Sequence, residues 1–150
     1  MFTPWRSAAL YAAVITAGSA AIGALVEAAW LLASGPRTAE WGTMLIVSRY
    51  QLAFLPLVFA VLTVARKVCA ALPRWRVIVT DCSLYGLTLL LAAFLVTLPD
   101  GVTEAADAPF VVGFLAMFNL QIPAALLLSG WASGRLTLAM RARERTFTFG

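Results

Sequence analysis

The chain has 150 residues, 62% of them hydrophobic and 12% charged, with formal net charge +4 and mean hydropathy +0.90. A soluble domain is about 45–50% apolar and about 25% charged, so the composition points to a membrane protein and leaves no length for a separate soluble domain. The absence of histidine excludes histidine-ligated haem and Ser-His-Asp or Cys-His catalysis, and it removes the commonest zinc and copper ligand.

Four apolar stretches reach the about 20 residues needed to cross a ~30 Å hydrocarbon core. The expected fold is an all-α membrane protein, one domain over residues 1–150. Its four transmembrane helices form an antiparallel bundle at roughly 4–33, 43–65, 77–98 and 110–133, followed by a tail at 134–150. Thr3-Pro4 reads as a helix N-cap with proline at the first position. The first apolar run continues to Ala33, too long for a signal-peptide core, and is read as a retained span. Two alanine-rich ridges run along it. Ala9, Ala13, Ala17 and Ala21 form one; Ala12, Thr16, Ala20, Ala24 and Ala28 form the other. Small residues at spacing four let helices approach closely in lipid, so this helix is expected to be packed on several sides. Glu27 projects from the second ridge and is expected to face protein.

Ser34-Gly35-Pro36 ends the first helix. In the second, Arg49, Ala53, Pro56, Ala60 and Thr63 share a face that is expected to pack inward, and Pro56 is expected to kink the span and free the Leu52 carbonyl. Glu27 and Arg49 each lie ~9 Å below the outer ends of two helices joined by a short loop. They are expected to form an intramembrane ion pair, because an unpaired charge at depth costs about 2.5–3.5 kcal/mol or more. In the third helix Asp81, Tyr85, Thr88 and Ala92 form a polar-to-small stripe. Asp81 is expected to pair near the cytoplasmic end with Arg66, Lys67 or Arg76. In the fourth, Pro123 frees the carbonyl of Asn119, which is expected to face the bundle. Gln121, about 200° away on a continuous helix, aligns with Phe114, Met117 and Phe118. That bulky face is read as touching lipid or another chain, with a hydrogen bond inside the bundle as the competing reading.

The 66–76 loop carries four bases and no acid, the tail four bases and one acid, and the 99–109 loop three acids and no base. The positive-inside rule then places both termini and the 66–76 loop in the cytoplasm. Trp5, Trp75 and Trp131 fall at inner boundaries, and Trp30 and Trp41 at outer ones, as aromatic belts require. Leu136 and Met140 suggest that the fourth helix extends past the membrane on the cytoplasmic side. Because topology accounts for the basic clusters, no nucleic-acid partner is expected. Cys69 and Cys82 form no CxxC motif and are read as free thiols.

The expected location is the inner membrane of a bacterium. No catalytic, metal-binding or cofactor-binding residue emerges. The expected role is therefore a non-catalytic accessory or assembly subunit of a larger complex, with the lipid bilayer and other membrane subunits or further copies as partners. The alternative is a small oligomeric transporter, channel or lipid flippase, with a polar path near Glu27, Arg49, Tyr50 and Asn119. Asp81 and Gln121 are further candidates for partner or path contacts.

Overall fold

The computed structural model describes the backbone of residues 4–34, 41–69, 73–118 and 120–148, and the side chains of 4–30, 32–33, 51–69, 73–118 and 120–135. The described residues are helical and contain no strand. The helices are α1 (Trp5–Ser34), α2 (Trp41–Val68), α3 (Arg74–Thr97), α4 (Val102–Phe118) and α5 (Gln121–Thr148), with a single 3₁₀ turn, Leu98–Asp100, between α3 and α4. Three of them are long and apolar enough to cross a membrane, over Trp5–Trp30, Gln51–Val68 and Arg74–Asp100. A fourth crossing results if α4 and the first part of α5 are taken as one span, bent by 62°.

The largest departure from the sequence reading lies in this last region. A single helix from Phe110 to residue 133 was expected, preceded by an acidic loop over 99–109. Instead Gly101, at φ 144°, ends the 3₁₀ turn, and helix resumes at Val102 with Glu104 in its first turn. A carboxylate is favourable at that end of a helix. Pro109 lies inside α4 and deprives the Ala105 carbonyl of its helical donor. The chain then breaks before Gln121, with Leu120 in the left-handed region at φ 59°. Pro123 supplies the reason. In a continuous helix its ring would strike the carbonyl four residues earlier, whereas in the first turn of a new helix no donor is required of it. Beyond the break, α5 runs to Thr148 without interruption.

α1 packs against α2 and α5, and α3 packs against α2, α4 and α5. The shared core contains Tyr11, Ile15, Phe54, Val58, Leu62, Tyr85 and Leu89, with alanines from α1, α3, α4 and α5. On α1 the buried stripe is Ala8, Tyr11, Ala12, Ile15, Thr16 and Ser19. Of the two expected ridges, only Ala12 and Thr16 are fully buried, while Ala17, Ala21, Ala24 and Ala28 are exposed. The close approach is made elsewhere, at Gly18: a Cβ added there would lie 2.7 Å from Leu128 Cδ1 on α5.

α2 also presents a different face from the one expected. Ala53, Pro56 and Ala60 are exposed, and the bulky residues Phe54, Val58 and Leu62 are fully buried. Thr63 alone of the described members of the expected face is inside. In lipid an outward face need not be polar, so small residues carry no penalty there and large ones gain dispersion contacts inside. On α3 the stripe Asp81, Tyr85, Thr88 and Ala92 is buried throughout.

Candidate functional site

The polar groups of the interior gather in two layers. The first is built on Asp81, seven residues into α3 and so about 10 Å along its axis from Arg74. Arg66, in the last turn of α2, donates from Nη2 to Asp81 Oδ1 at 2.7 Å and to the Val77 carbonyl at 3.4 Å. Ser129 of α5 donates from Oγ to Asp81 Oδ2 at 2.9 Å. The Tyr11 hydroxyl of α1 donates to the same oxygen and lies 3.0 Å from Ser129 Oγ. The Arg66 guanidinium carbon stands 4.9 Å from the centre of the Tyr11 ring, a cation–π contact that adds to the ion pair. One carboxylate therefore takes donors from three other helices.

The energetics follow from burial. Asp81 is 1% exposed and Arg66 7%, so each would be costly alone at this depth. Charge-assisted hydrogen bonds contribute about 1.5–3 kcal/mol each, and three of them converge on this one carboxylate. The guanidinium is less completely served, because Arg66 Nε is buried without a hydrogen-bond partner.

The second layer lies about one turn deeper, around Tyr85. Gln121 Nε2 donates to the Tyr85 hydroxyl at 2.9 Å, and Ser19 Oγ lies 2.9 Å from that same hydroxyl. Ser19 also bonds to the Ile15 carbonyl of its own helix. With the serine proton on that carbonyl, the Tyr85 hydroxyl supplies the proton of the contact between them. The Tyr85 ring meets Phe54 edge-on, with centroids 5.0 Å apart and planes at 82°. This layer joins α1, α3 and α5 by side-chain hydrogen bonds and reaches α2 through the aromatic contact. The spacings explain the reach. Tyr11 and Ser19 are eight residues apart, as are Gln121 and Ser129, whereas Asp81 and Tyr85 are four apart. The long tyrosine and glutamine side chains span the difference.

The residues singled out from the sequence are thus distributed over several places. Asp81 and Gln121 occupy adjacent layers of one interior. Among the cations expected to pair with Asp81, Arg66 does so, while Lys67 sits over the Trp5 ring at 4.2 Å and Arg76 over Trp75 at 5.1 Å. Gln121 is 4% exposed and bonded to Tyr85, which favours the hydrogen bond inside the bundle over the outward face of Phe114, Met117 and Phe118. The break at Leu120 uncouples it from the α4 register and turns it inward. Glu27 is half-buried, farther along α1. Asn119 and the side chains of Arg49 and Tyr50 lie outside the described residues, and with them the expected Glu27–Arg49 pair.

Three contributors to the two layers, Tyr11, Ser19 and Ser129, were not picked out as interior polar groups. The available signal was the recurrence of polar residues eight apart on the first and last helices, Tyr11 and Ser19 on one and Gln121 and Ser129 on the other. Cys69 and Cys82 are free thiols, and no group of three or more potential metal ligands occurs among the described residues. Comparison with models of protein families, with curated protein sequences and with solved structures gives no match.

Proposed function

We propose that the protein is a non-catalytic accessory or assembly subunit of a larger membrane complex, recruited through helix–helix packing. In this reading it is an antiparallel four-span bundle of the inner membrane with both termini in the cytoplasm. The observation that carries the reading is the state of Asp81. Both carboxylate oxygens are engaged by Arg66, Ser129 and Tyr11, so the interior charge is used to hold helices together. A group that binds and releases a substrate ion has to give up its protein partners, and this one is held by donors from three helices. The topology draws support from the side chains at one end of the molecule. Lys67 of α2 covers Trp5 of α1, and Arg74 of α3 bonds to the Gly130 carbonyl of α5. The start of α1, the end of α2, the start of α3 and the 130–135 region of α5 therefore share one basic, tryptophan-rich end, as the positive-inside rule and aromatic belts require of a cytoplasmic face.

Purification from native membranes in mild detergent tests the assignment. A subunit co-elutes with defined partner chains in stoichiometric amount; elution as a lone monomer refutes it. Reporter fusions after residue 150 and within 99–109 test the orientation, and a non-cytoplasmic tail refutes that part.

A second reading, a small oligomeric transporter, channel or lipid flippase, is favoured by one observation. The chain between α4 and α5 is interrupted next to the buried Tyr85–Gln121 contact, and broken helices at mid-depth can mark binding sites in transporters. Under that reading Gln121→Leu abolishes transport while the protein still folds.

A further inference from the structure

The basic end of the molecule has an order that topology alone does not require. Three cations each rest on an indole ring: Lys67 on Trp5, Arg76 on Trp75 and Arg135 on Trp131, at 4.2, 5.1 and 5.2 Å. Trp5, Trp75 and Trp131 are 56%, 61% and 54% exposed, and of the cations Arg76 and Arg135 are exposed and Lys67 half-buried. Arg74 of α3 lies against the stretch of α5 from which Arg135 projects. Arg74 Nη2 donates to the Gly130 carbonyl at 2.8 Å and lies 3.5 Å from where a Gly134 Cβ would be, and Arg135 is the next residue. Gly130 and Gly134 line this seam, the first facing Ile78 and the second Arg74. Among the described residues neither arginine is paired with an acid, and the carboxylate of Asp81 is committed to Arg66. Two like charges on one seam repel each other, and an anion held between them would be attracted by both.

We propose that the α3–α5 seam, with Arg74 and Arg135 as the phosphate-binding pair and Trp131 beside them, is a binding site for the headgroup of an anionic phospholipid. Guanidinium groups match phosphate oxygens bidentately. Indole rings at headgroup depth fix the plane in which that phosphate lies. The occupant is a bilayer lipid because the seam opens where the exposed tryptophans meet the interface, and because α3 and α5 continue from it as apolar surface against which acyl chains lie. The site goes beyond the proposed role as a subunit and does not depend on it.

Tryptophan quenching by brominated lipids tests the proposal. The intact protein is placed in vesicles of unlabelled phosphatidylcholine containing an equal mole fraction of either brominated phosphatidylglycerol or brominated phosphatidylcholine. The phosphatidylglycerol is expected to quench more strongly. The double variant Arg74→Gln/Arg135→Gln is expected to lose that preference, by about fivefold in relative affinity for each arginine removed. Arg74→Lys/Arg135→Lys keeps the charge and is expected to retain part of the preference. It also serves as the informative pair should the glutamine variant fail to fold. The preference should shrink in about 1 M NaCl, where the Debye length falls to about 3 Å. Equal quenching of the wild-type protein by the two lipids overturns the proposal, as does a preference that survives both the glutamine substitutions and high salt. Relief of the quenching by added soluble glycerol phosphate would assign the seam to a free phosphate and overturn its assignment to lipid.

Discussion

Replacing Asp81 by asparagine removes one negative charge from a place where Arg66 is 7% exposed and 2.7 Å away. The guanidinium would then be buried without its counter-ion. Breaking a buried pair by removing one partner costs about 3–5 kcal/mol. Asparagine retains one acceptor oxygen, which in the place of Oδ2 keeps the bonds from both Tyr11 and Ser129, so the cost falls toward the lower value, about 3 kcal/mol. The cost arises from the stranded cation, so the second substitution decides the issue. Arg66→Met in the Asp81→Asn background removes that cation and should recover about 2 kcal/mol or more relative to the sum of the single changes. The assay is unfolding in dodecylmaltoside micelles titrated with sodium dodecyl sulfate, followed by tryptophan fluorescence, on the wild type, both single variants and the double. A cost below about 1 kcal/mol for Asp81→Asn refutes the claim that this carboxylate clamps the helices. Additivity within about 0.5 kcal/mol refutes the claim that it does so through Arg66.

Other substitutions probe the remaining contacts. Tyr11→Phe deletes the hydroxyl bound to Asp81 and keeps the ring beneath Arg66, so it should destabilise by about 1.5–3 kcal/mol in the same titration. Gly18→Val places branched carbons against Leu128 and should cost about 1–3 kcal/mol as overpacking. Leu128→Ala should cost less in that background than in the wild type. Leu120 holds a left-handed conformation that costs a residue with a Cβ about 1–2 kcal/mol. Leu120→Gly should therefore stabilise by roughly 0.5–1 kcal/mol after glycine's entropic cost, and a loss of stability there would contradict the break between α4 and α5. Gln121→Leu should cost about 0.6 kcal/mol, and at most about 1.7 kcal/mol, because it removes one hydrogen bond to Tyr85.

Hydropathy alone was enough to read an all-helical chain with three spans and the material for a fourth, since each run matches the thickness of a bilayer. Helical spacing was enough to read the face of α3 that carries Asp81, Tyr85, Thr88 and Ala92. Polar atoms in lipid have nowhere to go but inward, and on an uninterrupted helix residues three and four apart stay on one side. The same rule failed for Gln121, because the helix between it and Phe114 is interrupted at Leu120. A residue's face can be read only as far as the helix remains continuous.

The remaining features depended on tertiary structure. For α2 the sequence offers a small-residue face and a bulky one, and lipid accepts either. Which of them turned inward was settled by the room around Tyr85 that Phe54 fills. For Asp81 three cations lie within reach in sequence, and the choice of Arg66 came from which of them the packing of α2 against α3 buried beside it. Tyr11 and Ser129, 118 residues apart, meet at one carboxylate only once α1, α3 and α5 have packed. Sequence by itself determined that these segments are helices long and apolar enough to cross a membrane, because that property depends on local composition. Tertiary packing alone determined where the charge inside is neutralised, because that depends on which side chains from distant segments arrive within 3 Å of it.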